Sequence, residues 1–330
     1  MHYTPLQLRI EKDGSRLFKI IAAFSLLLNI AIGAFAALPY LPQSTPIAYA
    51  GVQLPTPTPV KTDNTTTSSA HLKKVHATAS ASLEKLIEKE LENSTGDYAL
   101  VVKNLTTGET YSREGSRVFR SASLYKLWVM AVVYDQIKVG TLKKTEVLSS
   151  DVEAIKKYFG IAPEEADMQT GTISFTVEQA LSEMITNSHN YAALLLSKRV
   201  GLDKINSFLK KHDMTKSSFN QPTVTTAANM ATFFEKLYGD KLNEARYTNE
   251  MLALLEDQNL NYAIPKYVPK DIRIAHKTGT LGPVTHDAGI VYGEGGDYII
   301  VVMSETVNTI QAEKHMSNIS RDVYDYFAKK

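Results

Sequence analysis

The stretch that decides the fold is the apolar run LYKLWVMAVVYDQI (124–137), which overlaps the motif Ser123-Leu124-Tyr125-Lys126 at its start. The run is apolar on nearly every side, which predicts a helix buried in the middle of a domain. At positions i and i+3 of such a helix, the serine and lysine side chains share one face. Burial lowers the pKa of a lysine, so that its neutral amine can take the proton of a serine hydroxyl.

An isolated S-x-x-K pattern is weak evidence, and the chain supplies its own controls. The same pattern occurs at 82–85 and at 207–210. The first copy lies in the charged stretch SLEKLIEKELE, and the second precedes a Lys-His pair near a predicted helix end. Both settings are typical of the solvated face of a helix. Only Ser123 has apolar surroundings that would perturb its lysine.

A second polar motif, Ser188-His189-Asn190, lies between two predicted helices. The sequence TVEQ (176–179) has the capping-box pattern ahead of one apolar run, and NYAALLLSKRV ends at Gly201, a residue typical of helix C-caps. The motif therefore places a hydroxyl and an amide on a short loop that can reach a central cleft. A plain polar turn is the simpler explanation on this evidence alone, and the S-x-N spacing recurs at 218–220.

A third motif, Lys277-Thr278-Gly279-Thr280, occurs once and lies in a β-rich region. DIRIAHKTGT alternates apolar and polar residues, and the runs VTHDAGIVYG and DYIIVVMSET follow it around the hairpin signal EGG (294–296). A glycine in a strand lets the backbone of a ligand lie close against it. A lysine and two threonine hydroxyls at a strand edge suit an extended substrate that bears a carboxylate.

The predicted elements give the domain an α+β fold. A helix near 80–92 leads into strands at YALVVKN and ETYSREG, and a last helix covers about 312–327. With the three C-terminal strands, this predicts an antiparallel sheet of about five strands, built from both ends of the domain and flanked by the terminal helices. An all-helical subdomain in the middle would hold Ser123 and the S-x-N loop, so the three motifs could converge in the cleft between sheet and helices.

The three motifs in this order resemble the signature of class A β-lactamases and penicillin-binding proteins. The likeness extends to TNSHNYAALLL, TTAANMATFFEKL and KTGTLGPVTHDAGIVYG, and it covers about 83–330. The resemblance implies a β-lactamase-like fold and a serine hydrolase that acts on β-lactam-type amides through an acyl-enzyme. Two alternatives stay open: a membrane-anchored D-alanyl-D-alanine carboxypeptidase or transpeptidase acting on peptidoglycan, and a non-catalytic binding protein on the same scaffold.

The resemblance also implies a role for each site residue. Ser123 would be the acylated nucleophile, Lys126 the proton acceptor or relay, and Ser188 the group that passes a proton to the leaving nitrogen. The backbone N–H groups of Ser123 and Thr280 would form the oxyanion hole. The remaining residues would hold the substrate, through its side-chain amide at Asn190 and through its carboxylate and backbone at Lys277, Thr278, Gly279 and Thr280.

One departure from the family pattern concerns deacylation. Class A β-lactamases carry a glutamate after the S-x-N loop that activates water for this step. In this chain the only carboxylates between 201 and 226 are Asp203 and Asp213, and neither lies in the E-x-x-L-N pattern. Neutral residues, FNQP (219–222), stand where that loop is expected. We therefore expect acylation with slow or absent hydrolysis of the acyl-enzyme.

Two further departures are expected to affect binding more than chemistry. His189 replaces the usual aspartate of the second motif, and an acid there more plausibly orients its neighbours than reacts. Many family members also use an arginine near the K-T-G strand to support carboxylate binding. Here no arginine follows that strand until Arg321, and Arg273, which precedes it, cannot simply take the role.

The N-terminal part indicates where the domain lies. Residues 20–38 form a nearly uninterrupted apolar run long enough to cross a bilayer, and basic residues precede it. This predicts a cytoplasmic segment at 1–19, a signal-anchor at 20–38, a Pro/Thr/Ser-rich linker at 39–70 and an extracytoplasmic catalytic domain at 71–330 of a single-pass cell-membrane protein. A-x-A sequences at 34–36 and 48–50 leave cleavage and secretion open.

Composition excludes several other classes. The chain has no cysteine and a formal net charge of +1, so neither disulfides nor a basic nucleic-acid-binding surface is expected. Its histidines show no metal-ligand spacing, and we expect neither a metal nor a cofactor. The expected partners are a β-lactam or D-Ala-D-Ala peptide, the membrane through the N-terminal helix, and peptidoglycan.

Overall fold

The computed structural model describes residues 81–330. The predicted segments at 1–19, 20–38 and 39–70 lie outside the described residues. Within 81–330, no helix is both long enough and apolar enough to span a bilayer.

A five-stranded antiparallel sheet forms one layer of the domain, as predicted. Its strands stand in the order β2-β1-β9-β8-β7. They are β1 (Asp97–Asn104), β2 (Thr110–Arg113), β7 (Ile274–Leu281), β8 (Val284–Val291) and β9 (Tyr298–Glu305). The first strand pairs with the last one, from Asp97↔Glu305 to Asn104↔Tyr298. The K-T-G motif lies on β7, at an edge of the sheet, where it pairs with β8 alone.

Nine α-helices accompany the sheet within the described range. They are α1 (Ala81–Leu91), α2 (Lys126–Lys138), α3 (Val152–Phe159), α4 (Val177–Thr186), α5 (Asn190–Val200), α6 (Leu202–Lys211), α7 (Ala227–Tyr238), α8 (Ala245–Glu256) and α9 (Thr309–Ala328). Short 3₁₀ helices lie at Ala122–Tyr125 and Pro163–Glu165. The predicted capping box forms at the start of α4, between Thr176 and Gln179.

Two apolar clusters hold the layers together. The terminal helices α1 and α9 bury Leu83, Ile87, Ile319 and Val323 against one face of the sheet. The other cluster is built around α2, whose residues from Leu127 to Tyr134 are all buried. This all-round burial agrees with the helix having no polar face. The α+β prediction, with a sheet made from both ends of the domain, is confirmed.

Two short strand pairs complete the fold, and sequence patterns did not predict them. One is β4 (Val147–Asp151) with β5 (Thr172–Thr176). The other is β3 (Phe119–Arg120) with β6 (Val224–Thr225), which join antiparallel just ahead of the first motif. Hydrogen bonds from Ser121 to Thr223, through both backbone and side chain, extend this pairing. The segment 219–223 is thereby fixed beside the residue that precedes Ser123 by two positions.

Candidate active site

Ser123 lies in the 3₁₀ turn that leads into α2, not in the α-helix itself. Residues three apart eclipse each other in a 3₁₀ turn, so Ser123 and Lys126 still share a face. Ala122, directly before the serine, has a left-handed backbone with φ 44°. Such strain in a non-glycine residue is concentrated at functional sites. Ser123 lines a cleft of about 640 Å³, and its hydroxyl has no hydrogen-bond partner among the described residues.

Lys126 is fully buried, and the S-x-N loop holds its ammonium group. Its Nζ lies 2.5 Å from the Ser188 carbonyl oxygen, 3.2 Å from Ser188 Oγ and 2.7 Å from Asn190 Oδ1. Burial lowers the pKa of Lys126 well below its usual value, and the nearby Lys277 lowers it further. The carboxylate of Asp167 opposes this shift. Lys126 is thus poised to exist as a neutral amine.

Lys277 reaches the same loop from strand β7. Its Nζ lies 3.1 Å from Ser188 Oγ and 3.0 Å from the Thr278 carbonyl oxygen. Burial lowers the pKa of Lys277 to about 7, although Asp287 acts in the opposite direction. The Ser188 hydroxyl therefore lies between two buried lysines. Ser188 itself adopts a left-handed backbone with φ 57°.

Gly279 allows strand β7 to lie against the nucleophile turn. A Cβ at this position would lie 3.1 Å from the backbone nitrogen of Ser123 and 3.2 Å from that of Leu124. The sequence predicted that this glycine would make room for a ligand. In the structure it first makes room for the backbone of the serine whose N–H is the expected oxyanion donor, and it brings the K-T-G and S-x-x-K motifs together.

The two threonines of the third motif differ in exposure. Thr278 is buried, whereas Thr280 is exposed and lines the cleft with Ser123. Asn190 also lines the cleft. The structure therefore brings every predicted site residue to one region, from three separate parts of the chain.

His189 caps the helix that follows the loop. Its Nδ1 accepts a hydrogen bond from the backbone N–H of Ala192, and burial lowers the pKa of the imidazole. A neutral ring is required for this cap, because a protonated Nδ1 cannot accept. The residue therefore orients the loop and the start of the helix that follows it.

Asp167 is a cleft residue that the sequence did not reveal. Its Oδ2 accepts a hydrogen bond of 2.7 Å from Asn190 Nδ2. Because Asn190 Oδ1 faces Lys126, the carboxylate fixes which way the amide points. Asp167 and Glu165 both line the cleft, and they come from the polar stretch PEEAD (163–167) ahead of the second motif. This stretch carries no recognised motif, and it precedes 201–226, where the family pattern places the deacylating glutamate.

The segment 219–223 lines the cleft with neutral side chains, as expected. Phe219 packs edge-on against Tyr125, with ring centroids 5.4 Å apart. Asn220 and Gln221 are exposed at the wall of the cleft. Asp213 instead pairs with Lys236 at the surface, 2.7 Å away, and Asp203 does not line the cleft. Neither of the two carboxylates considered from the sequence serves this site.

Two buried lysines of lowered pKa meet at the Ser188 hydroxyl, and the half-buried Ser123 lines the adjoining cleft. This arrangement is that of a serine hydrolase. The sequence matches the family model described as "Beta-lactamase enzyme family" over residues 81–327. The chain therefore belongs to the β-lactamase enzyme family.

Several solved structures share this fold. PBP-A superposes with a TM-score of 0.68 at 23% identity, covering 76% of this chain and 97% of that one. A leucine-to-glutamate variant of PBP-A, in an acyl-enzyme complex with penicillin G, superposes with a TM-score of 0.70 at 22% identity. The match covers 77% of this chain and 99% of that one. A β-lactamase from Sphaerobacter thermophilus superposes with a TM-score of 0.67 at 24% identity, covering 76% of this chain and 98% of that one. No curated protein matches the sequence.

Proposed function

We propose that the protein forms an acyl-enzyme at Ser123 with β-lactam-type amides and hydrolyses it slowly. The observation that carries this proposal is the pair of buried lysines that meet at Ser188 Oγ beside the nucleophile turn. The neutral wall at 219–223 supports the slow second step.

In the acylation step, neutral Lys126 accepts the proton of Ser123 as the hydroxyl oxygen attacks the amide carbonyl. The N–H groups of Ser123 and Thr280 receive the oxyanion. Ser188 then passes a proton to the leaving nitrogen. The position of its hydroxyl, 3.2 Å from Lys126 Nζ and 3.1 Å from Lys277 Nζ, supports this relay.

Deacylation needs a base that removes a proton from water. Among the described cleft residues, the carboxylates are Glu165 and Asp167, and Asp167 is engaged by Asn190. An amide such as Gln221 can orient a water molecule but cannot deprotonate it. Because the wall at 219–223, where the family pattern places the deacylating glutamate, carries no carboxylate, we expect the acyl-enzyme to be long-lived.

The test is incubation of the full chain with penicillin G, followed by intact-mass measurement and peptide mapping. We expect a mass increase of one penicillin, mapped to Ser123, that persists for many minutes after free penicillin is removed. Hydrolysis of a chromogenic β-lactam should be slow in the same preparation. A folded chain that gains no mass at any penicillin concentration would contradict the proposal.

A peptide ending in D-Ala-D-Ala is a second candidate substrate, and the neutral wall at 219–223 favours it. An enzyme of that kind passes its acyl group to water or an amine without needing rapid β-lactam turnover. The apolar run at 20–38 supports a further proposal, that the domain is held at the outer face of the cell membrane near peptidoglycan. Release of D-alanine from such a peptide is the assay that distinguishes this candidate.

The pH dependence of acylation is expected to respond to Asp167. Acylation should accelerate as pH rises through the pKa of Lys126, because only the neutral amine accepts a proton. The Asp167 carboxylate raises that pKa. Asp167→Asn removes the negative charge but keeps an acceptor for Asn190, so the rising limb should move to lower pH. The measurement is the second-order rate of acylation by a fluorescent penicillin between pH 5 and pH 9.

Glu165→Gln is the matched control for this shift. It also removes one carboxylate from the cleft, but Glu165 is not among the groups that shift the pKa of Lys126. Its pH profile should coincide with that of the wild type. If the rising limb of the acylation profile stays in place in Asp167→Asn, or moves to higher pH, Lys126 is not the proton acceptor.

A further inference from the structure

A tyrosine from outside the three motifs reaches the K-T-G strand. The segment between α8 and β7 places the Tyr262 hydroxyl 3.1 Å from Thr280 Oγ1. Burial raises the pKa of Tyr262, while the nearby hydroxyls of Thr280 and Thr278 oppose the shift. Tyr262 thus contacts Thr280 directly and lies near Thr278, the two threonines that are expected to receive the substrate carboxylate.

A partly buried polar network holds this segment in place on one side of the tyrosine. Asn261 Oδ1 lies 2.9 Å from His276 Nε2, and Asn261 Nδ2 donates to the Gln258 carbonyl oxygen, also at 2.9 Å. The second hydrogen bond fixes the orientation of the Asn261 amide. His276 lies on β7 directly before Lys277, so the segment is attached to the strand that carries the binding motif.

The same network holds the segment on the other side of the tyrosine. His276 Nδ1 lies 2.9 Å from Asp287 Oδ1, and Asp287 Oδ2 accepts the backbone N–H of Ile264 at 2.9 Å. His276 and Asp287 are almost completely buried, and Asp287 stands opposite Thr278 in the register of β7 and β8. Anchors at 261 and 264 bracket Tyr262, which leaves its side chain little freedom to move away from Thr280.

The arginines considered from the sequence are engaged elsewhere. Arg273 forms a bidentate ion pair with Glu256, and Arg321 pairs with Asp325 one turn along α9. Both guanidinium groups are exposed at the surface rather than placed on Thr278 or Thr280. The position next to these hydroxyls is occupied by Tyr262.

We propose that Tyr262 donates its hydroxyl hydrogen to the carboxylate of the bound substrate, together with Thr278 and Thr280, and thereby selects acyl donors that carry this group. The inference rests on the proposed acylation function. A hydroxyl is a neutral donor, so it contributes a charge-assisted hydrogen bond without the ion pair that an arginine would supply. The segment anchored by His276 and Asp287 positions the donor before the substrate arrives.

The test compares two ligands on the full chain, a fluorescent penicillin with a free carboxylate and its methyl ester. Tyr262→Phe should lower the acylation rate constant for the acid by about tenfold or more, the usual effect of losing a hydrogen bond to a charged group. The rate constant for the ester should stay unchanged. The matched control is Tyr267→Phe, which alters a half-exposed ring in the same segment and should change neither rate constant.

Two results would overturn the inference. The first is an unchanged rate constant for the acid in Tyr262→Phe. The second is an equal fall for acid and ester, because a merely structural role of the ring would not distinguish the ligands. Thermal unfolding of both variants checks that the fold is retained.

A binding measurement keeps the inference separate from the proposed function. In Ser123→Ala, adding Tyr262→Phe should raise the dissociation constant for the acid by about tenfold and leave that for the ester unchanged. This comparison needs no acylation. If the wild type is not acylated, the proposed function fails, and an unchanged dissociation constant for the acid would overturn the role of Tyr262 independently.

Discussion

Ser123→Ala is expected to abolish the covalent penicillin adduct. The substitution removes the Ser123 hydroxyl, which lies in the turn before α2 on the face shared with Lys126, while the backbone N–H of residue 123 stays in place. Intact-mass measurement after prolonged incubation should show no mass increase. This is the largest effect of any single substitution proposed for this protein, because no covalent bond can form without the nucleophile.

The chain supplies matched controls in the other two S-x-x-K copies. Ser82 and Ser207 are exposed, as are Lys85 and Lys210 at the same spacing. Ser82→Ala and Ser207→Ala should be acylated at the wild-type rate. If Ser123→Ala still forms an adduct, and the adduct maps to Ser188 between its two lysines, then Ser188 and not Ser123 is the nucleophile.

Gln221→Glu is expected to accelerate hydrolysis of the acyl-enzyme by about a hundredfold or more, the usual contribution of a general base. Gln221 lines the cleft with Ser123, and its side chain makes no hydrogen bond to any described residue. Glutamate has the same length and shape, so it places a carboxylate where a neutral amide now faces the cleft. The measurement is the decay of the penicillin adduct by mass, alongside steady-state turnover of a chromogenic β-lactam.

Asn220→Asp is the matched control for Gln221→Glu. It adds the same charge to the neighbouring residue, but Asn220 Oδ1 accepts a hydrogen bond from Asn206 and is held toward that side chain, 3.2 Å away. Its effect on adduct lifetime should be much smaller. An adduct that decays equally slowly in wild type and Gln221→Glu would show that the hydrolytic water is not reached from this wall of the cleft.

Much of the fold could be predicted because its elements carry local signals. The all-apolar run after Ser123, the capping box at Thr176 and the alternation around Lys277 each report a structure that neighbouring residues determine. The predicted elements allowed the three motifs to converge in one cleft, and the family resemblance implied the role of each residue there. The spacing of the motifs along the chain does not predict that Lys277 and Lys126 meet at one hydroxyl.

The parts that could not be predicted depend on contacts between distant residues. The β3–β6 pair involves only two residues on each side, too short for a periodic pattern. Asp167 and Tyr262 lie in segments without a motif, and their roles come from Asn190 and Thr280, which the fold brings to them. Position along the chain therefore revealed neither residue, because the role of each depends on its position in the cleft.

The pairing of β1 with β9 has a consequence for how the enzyme is made. Residues 97–104 are among the first of the domain to be synthesised, yet their partner strand, 298–305, is among the last. Until that strand arrives, β1 has only the four-residue β2 beside it and exposes an apolar edge that invites aggregation. Contacts of such long sequence separation also form slowly. A chain released before β9 is made would therefore be inactive as well as prone to aggregation, because β7 brings Lys277 to the Ser188 hydroxyl only when the sheet is complete.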